Sequence, residues 1–585
     1  MNTNIFRNIF IVLLIIITNS AFSQLLSVSP VPGSKFHNPE TSIILKFKSP
    51  VKSNSLKNDL FVITGSKREY SNINYLTSDD HRTIILSSND KFEYGETIYV
   101  HANYKIELET GLKINIPDFL FHVKDEEFVI SNSYYKYNSY FKNKDYFPPV
   151  TVNINDNPAE GKIFFHNISA FASDNDRFYA IIENDGSPFF AHQDNNRGLC
   201  FTLQKNGYLT FWNNKNFYML DSTYSVIDSF ACGNGYNADW HELQVLENGH
   251  AFLMAYDVQT FATNELDDSI KIEGLVIQEI DKNKNVIFQW RSFDHFDIGD
   301  YGVDTSLTHT IFIHGNAIEV DFDGHILVSL RAMDQIIKID RTTGDIIWRL
   351  GGVKNEFTFI NDVGFCKQHD IRRLPNGNIT LYDNGTCHTP QISKAKEYTI
   401  DEINKTATLV WEYEHPEKYW ASSMGNVQRL DNGNTFINWG QIILNSTDTS
   451  IKEVDVISKI TEVRPDKSIA YELTFDTYFH LVYRSYRFEW DVPPPVTATN
   501  NLIEYGSNIN IYPNPAHKYF TINFNERGTY HIDIFNSSGI LLKSFNHIND
   551  DQIEVKTDDL STGIYFCRIS SGNNSSVTRK IVITK

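Results

Sequence analysis

Five stretches of this 585-residue chain turn a strand back on itself in the same manner. They read "LQKNGYLTFW", "LENGHAFLMAYD", "VDFDGHILVSL", "LPNGNITLYDNG" and "LDNGNTFINWG", with turn glycines Gly207, Gly249, Gly324, Gly377 and Gly433. Asn-Gly or Asp-Gly between alternating apolar residues marks a hairpin, because glycine enters the φ > 0 region without steric cost. Second hairpins with tight polar turns follow: "FYMLDSTYSVIDSF", "VIQEIDKNKNVIFQW", "IIKIDRTTGDIIWRL", "EYTIDEINKTATLVWEY" and "ISKITEVRPDKSIAYEL". Two hairpins per repeat make a four-stranded sheet, and sheets repeated in this way make the blades of a propeller. Five blades are explicit. A sixth comes from joining "FYAIIENDGSPFFAHQ" (178–193) to "TYFHLVYRSYRFEW" (477–490), which closes the ring with strands from both ends of the region and removes exposed edges. The predicted fold is all-β, with a six-bladed β-propeller over residues 150–490 and seven blades as the alternative.

The rest of the chain divides into flanking units, as its length requires. The N-terminus, "MNTNIFRNIFIVLLIIITNSAFSQ", places Arg7 before an apolar run from Ile9 to Ile17, then Ala21-Phe22-Ser23 as a small-x-small site. That predicts a signal peptide over residues 1–23, cut before Gln24. No later segment approaches the roughly 18 apolar residues of a spanning helix, so the expectation is an exported protein, soluble or held at a surface by other means. Residues 25–124 carry short strands such as "ETSIILKFKSPV", "RTIILSS" and "ETIYVHANY", and resemble the bacterial Ig-like β-sandwiches that precede exported enzymes. A Tyr/Asn/Lys-rich linker (125–149) and a Pro-rich linker (491–506) bracket the propeller, and residues 507–585 read as a C-terminal β-sandwich of seven short strands. A net charge of −20 argues against nucleic acid or an acidic membrane surface as partner.

Strand side chains alternate with period two, so residues equally distant from a turn share a level and a face. Eight residues before their turn glycines stand His241, Asn316 and His369, in three successive repeats. His314 lies two residues before Asn316, and a two-residue turn sets Arg331 opposite Asn316. In the fifth repeat the matching positions are Gly425 and Gly440, expected to leave room for a ligand. Because blades rotate about one axis, these side chains are expected to converge on the central channel. The same counting opposes Cys366 and Cys387 across the fourth hairpin, giving an expected disulfide, with two buried thiols as the alternative. His250 and His325 directly follow turn glycines, and His295, His309 and His388 have no repeat-equivalent partner, so all five read as ordinary strand or turn histidines.

Imidazoles, a carboxamide and a guanidinium at one level suit a tetrahedral oxyanion, since Arg offers planar paired donors and His and Asn add directed ones. No metal is predicted: an Arg at the same level repels a cation, and "HELQ" at His241 lacks the second histidine of a zinc HExxH motif. No GxSxG elbow supports a Ser/His/Asp triad. Tyr236, Trp240 and Tyr301 would either stack a phenol ring or serve as packing.

The phrases "GNGYNADWHELQVLENGHAFLMAYD", "HGNAIEVDFDGHILVSLR", "IIKIDRTTGDIIWRLGG" and "KQHDIRRLPNGNITLYDNG" resemble bacterial arylsulfate sulfotransferases, in chain order over residues 150–490. The resemblance implies a six-bladed propeller, no cofactor, and ping-pong transfer of a sulfuryl group from an aryl sulfate donor to a phenolic acceptor through a sulfohistidine. Carried over by motif, His369 of "QHDIRRLPNGN" is the nucleophile; His241 of "DWHELQ", His314 of "HGN" and Arg331 of "SLR" hold the sulfuryl oxygens, joined by Asn316. Either His241 or His314 would pass the proton. The resemblance also admits a homodimer. "YPNP", "IFNSSG", "LSTGIYFCRI" and "KIVITK" resemble the C-terminal sorting domain of the type IX secretion system, which implies a Bacteroidetes-type Gram-negative export route, engagement with that machinery, and removal on export. An autonomous adhesion module is the alternative there. For the propeller, two other functions are weighed. An aryl sulfate hydrolase lacks its Cys/Ser-x-Pro-x-Arg signature, and a glycan-binding module would repeat like pockets around the ring. A phosphoadenosine-type sulfotransferase would need a P-loop, which this sequence lacks.

Overall fold

The structure, a computed structural model, describes residues 24–126, 150–169, 178–193, 199–262, 269–301, 309–444, 456–475, 480–492, 510–512, 516–536, 541–571 and 576–585. The expected signal peptide, nearly all of the first linker and most of the second lie outside these residues. Among the described residues the helical segments are short 3-10 turns, and the remaining regular structure is strand.

Among the described residues between 150 and 488 the strands form six sheets of four or five strands, numbered here by the repeats that supply them, beside one two-stranded ladder of Ile442–Ile443 with Val456–Ile457. Their innermost strands are Leu199–Leu203 (sheet I), Leu243–Val245 (II), Gly315–Val320 (III), His369–Arg373 (IV), Asn426–Arg429 (V) and His480–Phe488 (VI). Sheet VI holds one strand the turn pattern did not reveal: Lys162–Ser169 pairs with His480–Phe488 on one side and Phe178–Ile182 on the other. Val150–Asn155 adds a further outer strand to sheet V by pairing with Ile469–Phe475. Strands from the start of the region thus complete the last two sheets and cover edges that would otherwise be exposed.

Apolar residues explain why each sheet stands against the next. Met219 and Phe230 of sheet I pack with Leu243 and Leu253 of sheet II, and Phe252 and Ile277 of II with Ile318 and Val328 of III. Trp348 and Leu327 of III meet Ile371 and Leu381 of IV, and Tyr382 and Tyr413 of IV meet Val427 and Ile437 of V. Phe436 and Tyr471 of V face Phe165 and Phe178 of VI, and Phe164 and Tyr179 of VI return to Phe201 and Leu209 of I. Central strands such as Ile326–Leu330 and Ile379–Asp383 are buried on both faces and read as apolar runs, whereas outer strands such as Val226–Phe230 keep exposed positions. Each large side chain so buried is worth about 1.5–3 kcal/mol relative to exposure.

The register differs from a two-residue-turn reading by one residue. Gly249, Gly324 and Gly377 all have φ near +85 (83, 83 and 88°), but each is the third residue of a three-residue loop, as in Pro375-Asn376-Gly377 between the paired residues Leu374 and Asn378. Such a loop is a type I turn closed by a left-handed glycine, and it shifts every cross-strand partner by one. A β-bulge then shifts the ladder again between Gly315 and Ala317 and between His369 and Arg372. Asn316 therefore sits in a bulge with no Cα partner, and the Arg331 backbone N–H donates instead to His314 O at 2.7 Å.

Residues 24–126 form two four-stranded sheets, and a two-stranded ladder of Ile106–Glu107 with Lys113–Ile114, around a core that includes Leu45, Phe47, Ile63, Ile84 and Phe121. This unit rests on sheet II: the Asn38 side chain donates to Gly235 O, and Arg291 donates to the carbonyls of Lys35 and Phe36. Among the described residues the C-terminal unit holds five strands in one connected sheet, where the sequence pattern predicts seven short ones. Tyr519–Asn536 and Leu541–Lys556 are long, with register shifts that let one strand bend, and so do the work of several short ones.

Candidate active site

His241, His314, Asn316, Arg331 and His369 all lie at the ends of inner strands remote from the hairpin turns. His369 opens its strand, and Asp370 beside it has φ 60°, the bulge conformation that re-aims the histidine. His314 and His241 stand just before their strands, and Arg331 begins the 3-10 turn after Ile326–Leu330.

The structure brings these residues together. The rings of His241 and His314 are 4.7 Å apart between centroids and nearly perpendicular. Tyr483, from the C-terminal strand of sheet VI, lies 5.5 Å from the His241 ring and 6.2 Å from the His369 ring. Its hydroxyl points to Asn316 O at 3.4 Å. The Arg331 guanidinium acts on both His314 and His369, and donates through Nη2 to Ser422 O at 3.0 Å. Its buried Nε has no partner, and neither does the buried Oδ1 of Asn316. Unpaired buried groups of this kind cost about 1–3 kcal/mol each, and beside the histidines these two are free to bind a ligand.

The hydrogen bonds assign the tautomer of His369. Its Nδ1 faces Asn384 Oδ1 at 2.7 Å and the Lys367 backbone carbonyl at 3.1 Å. A carbonyl only accepts, so Nδ1 carries the proton and, in the neutral ring, Nε2 holds the lone pair. Asn384 is itself oriented, because its Nδ2 donates to Ala421 O and Met424 O at 3.0 and 3.1 Å. Burial, then Arg331, with His241 and Arg484 adding to them, hold the His369 pKa well below the ordinary imidazole value. Burial, His241, His369 and Arg331 do the same to His314. His241 differs in its partner: Nδ1 is bonded to the Asp239 carboxylate, which also accepts from the His241 backbone N–H at 2.9 Å.

Asn316 donates from Nδ2 to Gln368 O at 2.7 Å, so its amide grips the peptide just before His369. Gly425 and Gly440 leave no space for a ligand: a Cβ at Gly425 would lie 2.4 Å from the Tyr382 ring, and one at Gly440 2.6 Å from Ser423 O. Close backbone approach explains these glycines. Cys366 and Cys387 are bonded, with Cα atoms 5.9 Å apart, but both lie beyond the ladder that the turn organises. Asp334 lies close enough to both sulfurs to complete a metal-type triad among the described residues, yet the sulfurs are spent on each other. Trp240 stacks on His241 at 3.8 Å, whereas Tyr236 is core packing and Tyr301 packs on Phe296 and Phe312. His250, with Glu279 and Asp79, and His388, with Asp383, have partners away from this cluster.

Counting from turns missed Asp239, Tyr256, Asn384, Tyr483 and Arg484. Asp239 was within reach, since a carboxylate two residues before a histidine in "DWH" is a local pairing signal. Tyr483 and Arg484 were not, because their strand has no turn glycine to count from. A cavity of about 270 Å³ opens at the other, turn-side end of the inner strands, lined by Gln204, Gln244, Glu319 and Arg429 among others. It is separate from the histidines, and its charged groups are already paired, as in Arg429–Glu397 and Lys205–Glu319. The histidine cluster is the better candidate on chemistry.

Residues 151–487 match a family profile described as arylsulfotransferase (ASST), and residues 510–584 match one described as a secretion system C-terminal sorting domain. No curated protein matches the chain. Among solved structures, a virginiamycin B lyase from Staphylococcus aureus is similar at 10% identity over 56% of this chain and 99% of that one, with a TM-score of 0.29. A streptogramin B lyase gives 10% identity, 59% and 88% coverage and a TM-score of 0.28. The extracellular domain of a putative hybrid two-component system from B. thetaiotaomicron gives 9%, 96% and 91%, with a TM-score of 0.20. Likeness this slight carries no argument about the present fold or site.

Proposed function

This chain belongs to the arylsulfotransferase family, and from that premise we propose that it moves a sulfuryl group from a phenolic sulfate ester to a phenol through a sulfohistidine at His369. The observation that carries the proposal is the fixed tautomer of His369, whose Nε2 lone pair stands in a cation-lined site beside a carboxylate-paired histidine. In the first half-reaction Nε2 of His369 bonds to sulfur as the sulfur–aryl oxygen bond breaks. Charge gathers on the sulfuryl oxygens, and by analogy with phosphoryl transfer the donors around them do most of the catalysis. Arg331, with its unpaired Nε, is placed to serve as such a donor.

The leaving phenolate takes a proton from His241. Asp239 holds the Nδ1 side of that ring and stabilises the imidazolium, as a carboxylate partner does in other acid–base histidines. His314 has no carboxylate partner, and its depressed pKa keeps it neutral at neutral pH, so it is the poorer proton donor. In the second half-reaction the acceptor phenol returns a proton to His241 Nε2 and attacks sulfur, the sulfur–nitrogen bond breaks, and His369 is neutral again. The Asn384 and Lys367 oxygens on Nδ1–H support the positive ring while it carries the sulfuryl group.

The six sheets over 150–488 support reading the region as a six-bladed propeller, with 25–124 as an Ig-like sandwich. The sorting domain at 510–584 implies export and a secreted or cell-surface location, and the expected signal peptide agrees with it.

The test is incubation with 4-nitrophenyl sulfate, with and without phenol. Ping-pong kinetics are expected, together with an acid-labile sulfuryl adduct on the peptide bearing His369 when acceptor is absent. His369→Asn should abolish both donor phenol release and transfer. Sequential kinetics, or the label on another residue, would refute the mechanism. Sulfate released as fast as transfer occurs would point to a hydrolase.

A further inference from the structure

One residue further along the inner strands than the histidines, four charged side chains fill the axis. Glu242 follows His241, Asp370 follows His369, Arg484 follows Tyr483, and Arg372 completes the group. We propose that Arg484 is a positioning residue for sulfuryl transfer, tying the backbones of His241 and Asn316 to the carboxylates of Glu242 and Asp370 and so fixing His369 against its partners. This rests on the function proposed above.

The Arg484 side chain is 5% exposed, and its guanidinium reaches residues at the ends of three other inner strands at once. Nη1 donates to His241 O at 3.2 Å and to Glu242 Oε2 at 3.0 Å, and Nη2 donates to Asn316 O. Nε lies 3.3 Å from Asp370 Oδ1, an ion pair without hydrogen-bond alignment. Arg372 bridges the same two carboxylates, at 2.8 and 2.7 Å, but its other end goes to Ile318 O, away from the site residues. Two guanidinium groups and two carboxylates neutralise one another, as a buried cluster must. A lysine has one nitrogen and no planar fork, so it cannot serve these acceptors together. The sheets that supply His241, Asn316 and His369 share apolar cores along their faces, and Arg484 adds the polar ties between their inner ends, where the histidines stand.

Arg484 also acts on His369 through charge. The groups facing that ring are Arg331, His241, His314, Tyr483 and Arg484, with Asp370 adjacent in the chain. Removing the Arg484 charge allows the ring to bind a proton at higher pH.

The test compares wild type with Arg484→Lys, Arg484→Met and a control, Arg487→Lys. Arg487 is equally buried on the same strand but serves Glu462 and the carbonyls of Ala159 and Gly161, away from the site. In single-turnover release of phenol from phenyl sulfate, Arg484→Lys should lose about 100-fold in rate with donor KM little changed, the scale of a 1 Å misplacement. Arg487→Lys should keep the wild-type rate. In a titration followed by NMR of 13C-labelled histidine, the His369 midpoint should stay put in Arg484→Lys and rise in Arg484→Met. If Arg484→Met does not fold, Glu242→Gln should move the midpoint the other way. Wild-type turnover in Arg484→Lys, an equal loss in Arg487→Lys, or an unmoved midpoint in the charge-changing variant would overturn the proposal. The titration reads Arg484 without turnover, so a wild type that transfers no sulfuryl group defeats the functional reading and leaves this test standing.

Discussion

Replacing Asp239 by Asn isolates the proton that the leaving phenolate needs. The asparagine oxygen can keep the backbone bond from His241 N–H, so the loop is retained and the carboxylate charge is lost. What disappears is a charge-assisted hydrogen bond to Nδ1, worth about 1.5–3 kcal/mol, and with it the support for the imidazolium. At 1.36 kcal/mol per tenfold, that predicts a loss of roughly 10- to 150-fold wherever protonation limits the rate. The loss should depend on the leaving group. Phenyl sulfate expels a basic phenolate that needs the proton, whereas 4-nitrophenyl sulfate expels a weakly basic one that scarcely does. Quenched-flow measurement of phenol release without acceptor should show the full loss for phenyl sulfate and little change for 4-nitrophenyl sulfate. Equal losses on both donors would refute the assignment of His241 as acid, because a distorted site handicaps both alike. Near-UV circular dichroism checks that the variant keeps its packing.

Arg331→Lys should lower kcat/KM for every donor by about 100-fold or more despite keeping the charge, since a point ammonium cannot reproduce a guanidinium's planar donors; near-normal kinetics would remove Arg331 from the sulfuryl site. Because burial and Arg331 depress the His369 pKa, the donor half-reaction for 4-nitrophenyl sulfate should hold its rate as pH falls through 6.5 and fail only when the lower pKa is reached; a midpoint at 6.5 in the pH profile would show a solvent-like imidazole instead. Protein secreted by its own host should begin at Gln24 and lack the residues after about 507, read by intact mass and terminal sequencing, on the reasoning that the last unit is an address. Retention of Lys585 on all secreted molecules would favour an adhesion module.

Hairpins were legible because their glycines are a local necessity: Gly207, Gly249, Gly324, Gly377 and Gly433 all adopt positive φ. The strands without that mark were the ones misplaced. Lys162–Ser169 pairs locally with Phe178–Ile182, but its neighbours on the other side, Tyr486 and Arg487 among them, lie more than three hundred residues away. Val150–Asn155 joins sheet V in the same way, against Ile469–Phe475. Pairings so distant in sequence leave no periodicity to read, since the strand's own pattern records which face is buried and not which neighbour it meets. Register failed for a related reason. A three-residue loop and a two-residue turn use the same Asn-Gly pair, and they differ in how many residues the chain spends before pairing resumes.

Counting made the residue types legible, the resemblance named His369 as nucleophile, and the roles of His241 and His314 stayed open. His241, His314 and His369 are chemically one side chain, found at one level by counting. What separates them is the atom that meets Nδ1. At His369 it is an amide oxygen and a peptide carbonyl, which fix the proton without adding charge and leave a neutral Nε2 lone pair. At His241 it is the Asp239 carboxylate, which accepts from Nδ1. At His314 it is a tyrosine hydroxyl 3.4 Å away whose proton already goes to Gly315 O, so nothing offsets burial and the neighbouring cations. The proposed roles of nucleophile, acid and neutral contact thus rest on three second partners, Asn384, Asp239 and Tyr256. Two of these lie on other strands or loops, at separations of 15 and 58 residues from the histidines they control. A repeat count aligns positions that the fold has made equivalent. The proposed chemistry needs the three histidines to differ, and the differences are carried by side chains that change from repeat to repeat, as at Tyr256 and Asn384, each seven residues after its own turn glycine.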